Sequence, residues 1–273
     1  MAMNSVNTNV GSMVALQSLN KTSDQLSVVQ KRISTGMRVA DAKDDGGAFA
    51  VSQAIRADVA GLTAANEQLG GTKGVLDTTF AALNKVSETM VKVRETLTRL
   101  ADGTLNDAQF DQYSDQYTAL RTQIQNFITD ATYNGRTLLD TTDGDIVTTR
   151  NESGDTFTIT AIDGATDLVV AAAPADVTAA QAALADGGDF ETVESAIADA
   201  LNQFGSDSNY IDSQIRYNKD KVDAMEGGLG ALVDADLAKE SAKLQSLQIR
   251  QQLGTQALSI SNQAPQTLLS LFR

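Results

Sequence analysis

The sequence contains no cysteine, no histidine and no tryptophan, and only two prolines, Pro174 and Pro265, in 273 residues. Each absence closes a class of function. Zinc sites built on His and Cys, cysteine nucleophiles and Ser-His-Asp relays are excluded. So are disulfides and thiol redox chemistry. No apolar run reaches the roughly 18 residues of a membrane span. The N-terminal stretch lacks the basic start and apolar core of a secretory signal, which by itself places the chain in the cytoplasm. Positive charge is scarce as well. Twenty-one basic residues face 35 acidic ones, a formal net charge of −14. Such a surface repels nucleic acid and anionic membrane, so neither is expected as a partner.

The charge is unevenly placed. Residues 101–212 hold twenty Asp and Glu against Arg121, Arg136 and Arg150, a local net of −17 that leaves +3 for the rest. The middle of the chain is therefore expected to face solvent. The two ends are the opposite case. Residues 1–20 and 251–272 carry no charged side chain, in a chain that is 21% charged. Both keep helical periodicity nonetheless. Ala15, Leu19, Thr22, Leu26, Val29 and Ile33 follow 4-3-4-3-4 spacing, a coiled-coil seam. Leu253, Ala257, Ile260, Ala264, Leu268 and Leu271 form one stripe of a second helix, with Leu244, Leu247 and Leu258 on a different face. A helix that is apolar on two sides needs neighbours on two sides. Termini normally fray and carry solubilising charge. These are patterned for burial, against each other and against other copies, and small polar residues in place of Lys and Arg disfavour a lipid surface.

Between the ends the pattern is long helix. Positions 59 to 97 repeat at alternating 3 and 4 spacing, with Leu62, Leu69, Leu76, Leu83, Met90 and Leu97 among the apolar members. Gly70, Gly71 and Gly74 within it mark a close contact or a kink, and Gly103 is a candidate left-handed helix stop. A second helix carries Tyr113, Tyr117, Leu120, Ile124, Phe127 and Ala131 and ends at a tight Asn134-Gly135 turn. A third runs from about Phe190 to Met225. Between them, 146–149 and 156–160 read as a β-hairpin, Leu168–Val170 as a further strand, and 171–189 as a connector. The fold class is thus mainly α: a long antiparallel helical bundle or coiled coil with paired terminal helices and a small β-hairpin insert at the far tip.

No constellation carries catalytic chemistry, and no catalytic, cofactor-binding or metal residue is assigned. Gly46-Gly47 beside Asp44-Asp45 lacks the lysine-serine pair of a phosphate loop and the spacing of a calcium loop, and reads as a helix-boundary turn. Asn151-Glu152-Ser153 matches a glycosylation triplet on a turn, too short a pattern to assign.

Longer motifs are specific. Residues 32–55, Arg-Ile-Ser-Thr-Gly-Met-Arg-Val-Ala-Asp-Ala-Lys-Asp-Asp-Gly-Gly-Ala-Phe-Ala-Val-Ser-Gln-Ala-Ile, resemble the N-terminal signature of bacterial flagellins. So do Tyr133-Asn-Gly-Arg-Thr-Leu-Leu-Asp140, Asp234-Ala-Asp-Leu-Ala-Lys-Glu-Ser and the stretch from Ser259 to Arg273. The likeness covers roughly residues 1–140 and 190–273 and is of the short, alphaproteobacterial kind without large outer domains. It implies a structural subunit, not an enzyme, that polymerises into the hollow flagellar filament for swimming. It implies residues 1–43 with 230–273 as a terminal inner-tube domain, 44–140 with 190–229 as a long-helix outer-tube domain, and 141–189 as the hairpin and connector insert. The partners implied are further copies of the chain, the flagellar export apparatus, the filament cap, junction proteins and an export chaperone. The location implied is extracellular, reached unfolded through the flagellar export system without a cleaved signal peptide. A hook–filament junction protein, which shares the terminal helices, is the alternative. Pattern and resemblance together assign inner-tube packing to Leu19, Leu26, Ile33, Leu253, Ile260, Leu268 and Leu271.

Overall fold

The computed structural model describes residues 8–271, with side chains through residue 263. The order is α1 (Val10–Thr35), α2 (Gly46–Leu100), α3 (Asp107–Thr129), β1 (Ile146–Thr149), β2 (Thr156–Ile159), α4 (Gly164–Asp167), α5 (Val177–Leu184), α6 (Asp189–Val233) and α7 (Leu237–Leu271). A 3₁₀ turn at Thr141–Asp143 precedes β1. The chain forms two compact units, one of residues 1–57 with 224–273 and one of residues 58–223. The mainly α class with one antiparallel hairpin is as the sequence predicts.

The second unit holds the main hydrophobic core, drawn from α2, α3, α6 and the segments between them. On α2 the heptad leucines Leu62, Leu69, Leu76, Leu83 and Leu97 are fully buried and Met90 nearly so. Two further lines, 72-79-86-93-100 and 75-82-89-96, run beside them and each carries two buried threonines. Thr72, Thr79, Thr89 and Thr96 are inaccessible, and each hydroxyl donates to the carbonyl four residues back at 2.8–3.0 Å. That local bond satisfies a buried polar group without a tertiary partner. The α2 face is therefore wide enough to meet two neighbours. α3 enters through a capping box, Asn106 with Gln109, and buries Tyr117, Ile124 and Ile128. Helix α6 contributes Phe190, Val193, Ile197, Ala200, Phe204 and Ile211.

Two local expectations are corrected. Leu168–Val170 is no strand. Its three side chains are buried as a plug, and its exit is held by side chains: Arg121 Nε donates to the Val170 carbonyl at 2.8 Å and Tyr117 Oη to that of Ala171 at 3.2 Å. Burial pushes the Tyr117 hydroxyl up to about 12. Gly103 is not in the left-handed region. The stop after α2 comes from the Asp102 carboxylate, which accepts from Thr104 N and Oγ1, both at 2.9 Å. The connector also contains a helix, α5, capped by Asp176. The Asn134-Gly135 turn is as expected, with φ of 51° and 75° and reciprocal bonds between Tyr133 and Arg136.

The hairpin pairs Ile146 with Ile159 through Thr149 with Thr156. It does not project clear of the helices but lies along α6. Gln203 Nε2 donates to the Thr160 carbonyl at 3.2 Å near its base, and Phe157 stacks on Tyr210 at 4.3 Å. At its turn the Arg150 carbonyl accepts from Asn218 at 2.9 Å and Gln214 at 3.2 Å, and Glu152 pairs with Lys221. Asn218, fully buried, also donates to Asn66 on α2 at 3.0 Å. Docking satisfies polar groups that a free-standing hairpin would leave to water.

Candidate assembly interface

The first unit is built differently. α1 begins at Asn9, whose side chain caps Ser12 N, and packs antiparallel on α7. Asn9 Nδ2 donates to the Ser261 carbonyl at 2.7 Å, and Ser12 Oγ to Asn262 at 2.7 Å. Midway, a Cβ added at Gly254 would stand 3.3 Å from Leu19 Cδ1. At the other end Arg32 Nη1 meets Glu240 Oε1 at 3.1 Å. The less exposed positions of α1 are Ser12, Lys31, Arg32 and the predicted seam of Ala15, Leu19, Thr22, Leu26, Val29 and Ile33. Those of α7 are Glu240, Leu244, Leu247, Gln251, Gly254, Leu258 and Ser261.

The seam is thin. Only Val29, Leu247 and Glu240 in it are buried, and the rest keep partial access to water. Outward, the same two helices present Val10, Met13, Val14, Ile249, Leu253 and Ile260, each 57–68% exposed. The seven predicted packing residues therefore fall into separate places. Leu19, Leu26 and Ile33 lie half-buried in the α1–α7 seam of one chain. Leu253 and Ile260 lie on the open face. Leu268 and Leu271 have side chains outside the described residues.

A polar lock, which sequence reading missed, sits where α1 turns. Arg38 N donates to the Val233 carbonyl at 2.7 Å, Arg38 Nη2 to Leu232 O at 2.6 Å, and Ala235 N to Gly36 O at 2.9 Å. The motif starting at Arg32 is thus stitched to the end of α6 and the start of the motif at Asp234, about two hundred residues away in sequence. Within the loop Lys31 bridges Asp41 at 2.7 Å and Asp44 at 2.9 Å. Those bonds hold both carboxyls below the usual carboxylate range and the ammonium above its own. Asp45 accepts from Gly47 N at 3.1 Å and Ala48 N at 3.0 Å, taking the donors a phosphate would need. The Asn151 amide is also engaged, with Asp155 at 2.8 Å. Among the described residues no helix is long and apolar enough to cross a membrane, and no cluster of acidic side chains is arranged to hold a metal ion.

Paired end helices with open apolar faces, in a chain whose second unit is built of long helices, define a structural protein of the self-assembling class. Residues 6–143 match the bacterial flagellin N-terminal helical region and residues 190–272 the bacterial flagellin C-terminal helical region. Flagellin FljK of Caulobacter vibrioides is 37% identical over the whole of both chains. A flagellin of Brucella melitensis is 34% identical over 99% of this chain and all of its own. The crystal structure of Bacillus cereus flagellin superimposes with a TM-score of 0.51 and 26% identity, covering 56% of this chain and 88% of that one. The chain belongs to the bacterial flagellin family. It is a structural subunit of the flagellar filament, of the short alphaproteobacterial type, and it acts outside the cell.

Proposed function

We propose that the filament is held by the outward faces of α1 and α7, with Leu253 and Ile260 meeting neighbouring copies and Leu268 and Leu271 extending the same stripe. Leu19, Leu26 and Ile33 act earlier, by pairing α1 with α7 so that those faces are presented together. The observation that carries the reading is the coincidence of exposed apolar side chains with helices that lack charge over residues 1–20 and 251–272. Burying such surface contributes about 25 cal/mol per Å². A contact between unlike faces does not close on itself, so it propagates as a helical polymer.

In this reading residues 1–43 with 230–273 form the inner tube, 44–140 with 190–229 the outer tube, and 141–189 a small insert. The chain carries out no catalysis. It leaves the cell unfolded through the flagellum's own export apparatus, aided by a chaperone, and meets the filament cap and junction proteins at its destination. Absence of cysteine and scarcity of proline suit that passage, since disulfides and slow X–Pro isomerisation would obstruct it. Electron microscopy after seeded polymerisation tests the scheme, comparing the full chain with one lacking residues 1–20 and 253–273. Long tubes are expected from the full chain alone. Long tubes from the shortened chain would refute the role of the ends, and short oligomers from the full chain would favour a junction protein.

A further inference from the structure

The second unit carries an open groove of about 500 Å³ that filament assembly leaves unexplained. It lies between α2 at Gly71, Thr72 and Val75, the edge of β1, and the 133–136 turn. Tyr133 is its platform. A Cβ added at Gly74 would stand 2.8 Å from Tyr133 Cζ and 3.0 and 3.1 Å from the two Cε atoms. Such near-equal distances belong to a point above the ring face, so the ring lies flat on α2 where only glycine leaves room. Tyr133 is still 44% exposed, so its opposite face is open.

The surroundings supply both donors and acceptors. Arg136 is oriented by a bond to the Asp143 carbonyl at 3.1 Å, and Asp145 uses one carboxylate oxygen on Ala161 N at 3.0 Å. Thr148, 4% exposed, borders the groove. Arg150 N points across to β2, bonding Asp155 O at 2.8 Å. By the alternation of an antiparallel ladder, the Val147 N–H and C=O therefore point away from β2, at an open edge.

The geometry points to a binding site for a neutral carbohydrate. A pyranose offers an apolar C–H face, which suits a fixed aromatic ring, and a rim of hydroxyls that both donate and accept. Arg136 and Asp145 cancel in charge. The unit around them carries 11 basic and 27 acidic residues, so anionic sugars are repelled. The site is complete in one chain. Repetition along a filament would convert a weak single-site affinity into strong attachment to a glycan-coated surface.

Saturation-transfer NMR on the purified full chain tests this with lactose and diacetylchitobiose, and with 3′-sialyllactose as the anionic control. Transfer to the ring protons of at least one neutral sugar is expected, with weaker transfer to the sialylated one. Tyr133→Ala should abolish it. Arg136→Met removes a donor that lines the groove and should weaken binding about fivefold, the worth of one hydrogen bond. It is the deciding variant if Tyr133→Ala loses helicity. No transfer to either neutral sugar, stronger transfer to sialyllactose, or unchanged binding by Arg136→Met would overturn the assignment.

Discussion

The two units of this chain spend their apolar side chains in opposite ways. Residues 58–223 bury theirs: the contiguous core from Leu69 to Ile211 lies wholly within this unit, beneath a surface of net charge −16. Residues 1–57 with 224–273 carry ten basic and eight acidic residues and, among the described residues, fully bury only Val29, Val39, Val233 and Leu247 of their large hydrophobics. One unit is finished as a single chain. The other has a seam thin enough to need a neighbour.

The contrast can be broken from the core side first. Phe204→Ala removes the largest fully buried side chain and should destabilise the long-helix body by about 3–5 kcal/mol, read by chemical denaturation. A loss under about 1 kcal/mol would mean that unit is loosely packed. Next, Arg32→Met strips the partner from Glu240, which is 9% exposed and already has one oxygen without a bond. About 2 kcal/mol should be lost from α1–α7 pairing alone, seen as faster amide exchange in α1 with α3 unaffected. Equal acceleration in both helices would erase the distinction between the units.

A smaller effect sharpens the contrast by pH. The Tyr117 hydroxyl titrates at about 12 in the folded chain against about 10 unfolded. Its contribution is whole below pH 10 and is lost as pH rises toward 12, amounting to about 1–2 kcal/mol. Thermal melts across that range should show the loss in the wild type and a flatter profile in Tyr117→Phe. Identical profiles would place the alkaline sensitivity elsewhere.

What the sequence disclosed, and what it hid, follows from side-chain chemistry. The Leu62–Leu97 heptad and the α1 seam were legible because aliphatic side chains declare their periodicity. The buried threonines of the two lines beside it were not, since threonine reads as polar until its hydroxyl is seen turned back on its own helix. Leu168–Val170 reads as strand by composition, yet it fills a gap with no strand beside it. Helix α7 disclosed two apolar faces but not which one meets α1. That choice is made by Gly254, Gln251 and Ser261, small or polar residues that allow close approach and carry no hydrophobic signal. The lock of Arg32 on Glu240 joins positions 208 residues apart, beyond the reach of any local pattern. The groove under Tyr133 was half legible: Gly74 reads as a close contact or a kink, and only the structure shows that the contact is the face of an aromatic ring.

The most direct test is the single substitution Ile260→Asp, read by circular dichroism of the monomer and by electron microscopy after seeding. Ile260 is 68% exposed in the isolated chain, so helicity and melting should stay within about 0.5 kcal/mol of the wild type. Filaments should not form, because the new carboxylate would be buried without a partner between copies. Normal filaments from Ile260→Asp would show that the open face of α7 is not where subunits meet.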